Sequence, residues 1–208
     1  MARSTAKTNA SPRFLLIAAA FAGVLVLVAG VLIGLAYRDS AKVGGGPLAG
    51  LIGGKFSLVD QNGKPFTEAD LKGKWQLVFF GYTHCPDICP TTLNDLSLAL
   101  DQLGPKKNQV GIVFISVDPE RDTPAALKSY VESFGGPIVA LTGTPDQVQQ
   151  AAQDYKVYYA KHPRPDGGYD MDHSALIYLM DPAGRFVATF TPDENEQAIA
   201  SRMAKLIS

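Results

Sequence analysis

Residues 75–82 (WQLVFFGY) are apolar almost without a break, and three residues beyond them lies the first of the chain's only two cysteines, Cys85 and Cys89. A run with no polar face must be covered on both sides, as a central strand of a layered sheet is. A second such run, 110–117 (VGIVFISV), follows after one helix's worth of chain. The intervening residues 90–103 carry Leu93, Leu96, Leu100 and Leu103 at helical spacing and close on Gly104-Pro105. Strand, crossover helix and strand constrain the chain to an α/β fold.

The remaining elements extend this pattern. Two short runs, 55–60 and 65–67, flank Asn62-Gly63, a hairpin signal. Thr123 can cap a helix with Pro124 at its first position, ending at Gly135-Gly136. A short strand is expected over 138–141, a helix from Pro145 to about Tyr155, and a short strand over 157–160. The stretch 162–170, with Pro163, Pro165, Gly167 and Gly168, reads as an irregular loop. An antiparallel hairpin over 175–180 and 186–190 and a closing helix over 193–207 complete the domain. Cysteines between the first long strand and its helix fit a thioredoxin-like core with an added N-terminal hairpin. That core usually carries C-x-x-C, and here the spacing is one residue wider.

The first fifty residues are of a different kind. Residues 14–37 are 24 consecutive uncharged positions. As a helix they reach about 36 Å, enough to cross a hydrocarbon core of about 30 Å. Gly34-Leu35-Ala36 could pass for a cleavage site, but the length favours an uncleaved anchor. Arg3, Lys7 and Arg13 precede the span, and Arg38, Asp39 and Lys42 follow it. This bias leaves a cytoplasmic (or matrix) tail, 1–13, and exports the rest. The expected arrangement is a single-pass inner-membrane protein with its C-terminal domain in the periplasm, or in the intermembrane space if mitochondrial. Residues 38–52, with Gly44-Gly45-Gly46-Pro47, form a tether whose coil reach is about 20 Å. The domain is then 53–208. A net charge of −1 gives no electrostatic reason to expect a nucleic acid.

Pro90 at a first helical position would make Cys89 the N-cap, where unpaired N–H groups favour thiolate over thiol. Sulfurs four residues apart can close a disulfide or share a soft metal ion. A purely structural disulfide here would close a tiny loop and constrain the unfolded chain little. A dithiolate is an incomplete site for most metals, so a third ligand is sought among His84, His162 and His173. His84 diverges from its neighbour Cys85 and suits a supporting role. His162 lies in the Pro/Gly-rich stretch and reads as solvated. His173 directly precedes a strand, in the loop that faces the cysteine helix in a thioredoxin-like layout. There is no proline between Asp166 and Asp181, so an imidazole stands where redox enzymes place a peptide-binding proline. This favours metal binding over thiol exchange. An S₂N set suits Cu(I), with Zn²⁺ the competitor lacking a fourth ligand. Asp172 could orient the imidazole, Asp118 could border the cysteines from the end of the second strand, and Met171 is a possible soft ligand. Helix capping and solvation account for Asp122 and Thr123, and by default for Arg121.

Three segments, FGYTHCPDICPTTL (80–93), FISVDPERDTP (114–124) and DHSALIYLMDPAGRF (172–186), resemble the Sco (SenC) family of copper chaperones. With the anchor, the resemblance extends over essentially the whole chain. It implies a thioredoxin-like domain that binds copper through Cys85, Cys89 and His173. The metal would be Cu(I), or Cu(II) with water or a carboxylate as a further ligand. It also implies delivery of copper to, or reduction of cysteines in, the binuclear copper site of cytochrome c oxidase subunit II, and the expected protein is a monomer served by an upstream copper donor. The other reading in view is a thiol–disulfide oxidoreductase using Cys85 and Cys89 as a redox pair without needing His173. A peroxidase with one low-pKa cysteine is a third.

Overall fold

The computed structural model of the chain describes residues 23–24, 26–31 and 50–207. The chain divides into two units, Met1–Gly44 and Gly45–Ser208. The described residues of the first unit are helical. Among the described residues no helix is long and apolar enough to cross a membrane. The tail 1–13, most of the apolar span 14–37 and the tether up to 49 lie outside the described residues.

The second unit is built on a seven-stranded sheet in the order β2-β1-β5-β4-β3-β8-β9. The two continuous apolar runs are its centre. β3 (Trp75–Gly81) pairs in parallel with β4 (Val110–Ser116), and β4 in parallel with β5 (Ile138–Thr142). Phe79, Phe80, Phe114 and Ile115 are fully buried, as strands covered on both faces require. The N-terminal hairpin, β1 (Ser57–Asp60) and β2 (Pro65–Thr67), joins the edge of β5 through β1. On the other side, β8 (Ile177–Met180) runs antiparallel to β3, and β9 (Phe186–Phe190) antiparallel to β8. The helices are α1 (Ile88–Gln102), α2 (Pro124–Val131), α3 (Pro145–Asp154) and α4 (Glu196–Leu206), with α1 packed on α4. The fold is thioredoxin-like and α/β, with the expected hairpin addition.

Three elements depart from the sequence reading. α1 starts at Ile88, so Asp87 is the N-cap and Cys89 lies inside the first turn. Pro90 is tolerated there because the first-turn N–H groups have no partner within the helix. α2 stops at Val131, four residues short of the two glycines. The stretch read as an irregular loop is instead a hairpin. β6 (Tyr159–Pro163) pairs with β7 (Tyr169–His173), and these two strands pair only with each other. Residues 50–52, read by composition as the end of the tether, lead into Gly53, whose N–H donates to the Asp154 carbonyl at 2.9 Å.

Candidate metal centre

The parallel strands deliver their C-terminal ends to one edge of the sheet, and the chemistry-bearing residues collect there. β3 ends at Gly81, whose carbonyl accepts from Val117 N–H at 2.8 Å and carries the β3–β4 ladder one step past the strands. The chain then turns through Tyr82, Thr83 and His84 to Cys85 and enters α1. Both cysteines are free thiols, Cys85 nearly buried and Cys89 wholly so. The Asp87 side chain does not cap the helix. The Cys85 sulfur does part of that work, accepting from the Cys89 N–H at 3.4 Å. A thiolate at Cys85 therefore meets the positive end of a helix dipole.

His173 arrives from the end of β7 and places Nε2 3.4 Å from Cys89 Sγ. The sulfurs of Cys85 and Cys89 and the imidazole all lie within 4.8 Å of one another. Three ligands around one ion with bonds of about 2.2 Å stand roughly 3.8 Å apart, so the cluster needs little adjustment to close on a metal. The imidazole's Nδ1 lies 3.1 Å from the Ser174 carbonyl. A carbonyl only accepts, so Nδ1 carries a proton, and in the neutral ring Nε2 is the nitrogen left to face the sulfurs with its lone pair. The ring is held edge-on between Phe79 and Tyr82, at centroid distances of 6.1 and 5.8 Å.

The two thiols are unequal. Cys85 is drawn down to about 4, chiefly because the Cys89 thiol donates to it, with further donation from backbone N–H groups. The same bond, with burial, pushes Cys89 up. One sulfur is thus a ready thiolate, and the other keeps its proton until something replaces it.

Gly81 sets the position of the buried sulfur. A Cβ there would fall 2.8 Å from Cys89 Sγ and 2.7 Å from Phe114 Cε2. The sulfur occupies the space that a side chain would fill.

The β4–α2 loop is the part of the site that the sequence concealed. Asp122, read as a capping residue, is fully buried. Its carboxylate accepts from Thr83 N–H at 3.0 Å, Thr83 Oγ1 at 2.6 Å and Ser116 Oγ at 2.6 Å, fixing the turn that carries Cys85. Thr123 is the cap, accepting from Ala126 N–H at 3.2 Å. Asp118, four residues before Asp122, holds the other half. It is buried, ion-paired to Arg121 Nε, and accepts from Tyr169 OH at 2.7 Å. The Arg121 guanidinium lies 3.8 Å from the centre of the Tyr169 ring and 5.8 Å from that of Tyr82, and donates to the Tyr169 carbonyl at 3.1 Å. A loop of five residues therefore grips both the cysteine turn and the hairpin that carries His173.

Other candidates stand further off. The Asp172 carboxylate is 2.9 Å from His162 Nε2 on the exposed face of the hairpin, and the Ser174 carbonyl takes the orienting position at His173 Nδ1. His162 is accordingly paired rather than merely solvated. His84 is exposed, 3.1 Å from Thr83 Oγ1. Met171 is buried in the core.

The SCO1/SenC family model matches residues 46–208. The chain is 42% identical over 176 residues to the mitochondrial SCO1 homolog 1 of Arabidopsis thaliana, covering 82% of this chain and 52% of that protein. It thus spans about half the length of that curated relative. Among solved structures, Bradyrhizobium japonicum ScoI with copper bound is 49% identical, covering 74% of this chain and 98% of that one, with a TM-score of 0.69. A more distant structure, BsSco, is 26% identical, covering 71% and 92%, with a TM-score of 0.53. It is described as a member of the Sco family of cytochrome c oxidase assembly proteins that has a disulfide switch. With the thioredoxin-like sheet and the Cys85, Cys89 and His173 cluster at its C-terminal edge, the chain belongs to the SCO1/SenC family.

Proposed function

We propose that this chain is a membrane-anchored copper chaperone. It binds one copper ion through Cys85, Cys89 and His173 and passes it on during assembly of the binuclear copper site in subunit II of cytochrome c oxidase. The observation that carries this reading is the convergence of two sulfurs and one imidazole nitrogen within 4.8 Å. Two soft sulfurs and one nitrogen, with no fourth His, Cys or carboxylate ligand beside them among the described residues, match Cu(I) better than Zn²⁺. Transfer by ligand exchange requires that an incoming thiolate reach the ion, which it would do beside His173, the least buried of the three residues. Anchoring through 14–37 would hold the domain, 53–208, near the outer face of the inner membrane as a monomer, within reach of membrane-embedded partners.

The inequality of the thiols favours a second reading, reduction of a partner's disulfide. The Cys85 thiolate would attack the partner disulfide. Cys89 would then resolve the mixed disulfide, leaving Cys85 and Cys89 oxidised and the partner's two thiols reduced. The two readings separate at His173. Anaerobic Cu(I) competition titration of the reduced full chain should give a one-to-one complex. His173→Ala should weaken it by about a hundredfold, because an imidazole ligand is lost. Binding indifferent to His173 would overturn the chaperone reading and leave thiol reduction in its place.

A further inference from the structure

The bonds that bracket the hairpin of β6 and β7 run from Ser174 N–H to the Tyr158 carbonyl and from Arg164 N–H to the Gly168 carbonyl, both at 2.8 Å. Bonded and non-bonded pairs alternate along an antiparallel ladder, so the backbone groups of Tyr169, Met171 and His173 turn away from β6. On that side the Tyr169 carbonyl meets Arg121. The side chains of the same three residues share one face of the strand, where Met171 is buried and His173 Nε2 reaches Cys89.

Few polar contacts tie this strand to the rest of the domain. The ion pairs of Arg164 with Asp166 and Asp170, and of His162 with Asp172, join the hairpin to itself. Lys161 reaches Glu120 in the β4–α2 loop, but both groups are exposed, and such a pair contributes little. Tyr169 is placed differently. Its hydroxyl donates at 2.7 Å to Asp118, two residues past the end of β4. That carboxylate is buried and ion-paired to Arg121, and the Asp118 N–H donates to Ser116 Oγ at 3.0 Å. The Tyr169 ring also has the Arg121 and Lys161 cations 3.8 and 3.9 Å from its centre. A hydrogen bond to a buried carboxylate is a strong fastening, and this one is anchored on the central sheet.

We propose that Tyr169 is a positioning residue for His173: by fastening the turn end of the hairpin to Asp118, it holds the imidazole against the sulfurs and sets how fast copper leaves. At its other end the hairpin is held by the chain itself, where Ser174 leads toward β8. Without the second fastening it can tilt about that end. Metal–ligand distances tolerate only about 0.2 Å, so a small tilt is enough to cost the site its nitrogen. The inference rests on the copper reading above.

The test compares Tyr169→Phe, which keeps the ring and loses the hydroxyl, with the parent, both as full chains. In the reduced, copper-free proteins, amide hydrogen exchange over 159–173 should be about tenfold faster in the variant, with β3 and β4 unchanged. Loaded with one equivalent of Cu(I) and mixed anaerobically with excess chromophoric chelator, the variant should give up its copper about tenfold faster. In a His173→Ala background the same substitution should change that rate by less than about twofold, because no imidazole is left to position. Copper loss at the parental rate, or unchanged exchange in the hairpin, would overturn the inference and leave the copper site standing. An acceleration that persists without His173 would also overturn it, since the substitution would then be loosening the site in general. Copper loss from His173→Ala at the parental rate would overturn the copper reading itself, and the inference with it.

Discussion

Gly81 offers a measurement in which site geometry and stability separate. In Gly81→Ala the new methyl would stand 2.8 Å from Cys89 Sγ and 2.7 Å from Phe114 Cε2. Comfortable carbon contacts are about 3.5–4.0 Å, so sulfur, ring or strand must give by about 0.7–1 Å. Neither neighbour has room, since Cys89 and Phe114 are fully buried. Overpacking of this kind costs about 1–3 kcal/mol, or about 2–12 °C of melting temperature for a domain this size. Metal–ligand bonds tolerate displacements of only about 0.2 Å, so Cu(I) affinity should also fall, by about 10–100-fold. Gly111→Ala supplies the control. Its Cβ would crowd Gln76 Oε1, near the other end of the same strand pair, and would disturb the bond from Gln76 to the Leu71 carbonyl. It should lower the melting temperature by a similar amount and leave copper affinity unchanged. The assays are thermal melting and anaerobic competition with a chromophoric Cu(I) chelator. Cu(I) binding by Gly81→Ala within about twofold of the parent would refute the reasoning, since a displaced sulfur must register in the affinity.

Asp122→Ala should strip the cysteine turn of its buried acceptor and leave Thr83 N–H and two hydroxyls unpaired. The expected cost is about 3–5 kcal/mol, seen as a fall of about 10 °C or more in melting temperature. A melt unchanged within error would remove Asp122 from the account of the site. Cys85, held at about 4 by donation from Cys89, stays a thiolate down to mildly acidic pH and is protonated only as pH falls through that value. Alkylation of the reduced protein at Cys85, followed by mass spectrometry, should therefore be flat from about pH 6 to 8 and fall about tenfold per unit below about pH 4. A midpoint near the ordinary thiol value would contradict the bond between the sulfurs.

The sequence and the structure agree where the signal is one of bulk apolarity. The runs at 75–82 and 110–117 have no polar face, and their place at the centre of the sheet follows from that alone. Cys85, Cys89 and His173 could be singled out because their residue types restrict the chemistry and the strand–helix junction restricts their location, and the structure brings the three together. The hairpin of β6 and β7 was not. Most of its residues are exposed or only half-buried, so alternation is weak, and Pro163, Pro165 and two glycines mimic an unstructured loop. Asp122 was concealed for a different reason. A carboxylate in a charged segment before a capped helix looks solvated, and only its distant partners Thr83 and Ser116 reveal that it is buried. The start of α1 shifted because a sulfur, rather than a conventional capping side chain, meets the first-turn N–H of Cys89.

The hairpin that carries His173 belongs to no other sheet. Two of the three proposed metal donors are therefore built into the central scaffold, while the third rides on a flap fastened by side chains: Tyr169 on Asp118, Arg121 on Tyr169, and Lys161 on Glu120. Lifting that flap breaks no rung of the seven-stranded ladder. The imidazole can be withdrawn while the sulfurs stay in place, so a bound ion can pass through a two-coordinate stage without unfolding of its host. Unloading would then be a local event, governed by these polar contacts and by the seat of Met171 in the core rather than by the stability of the whole domain.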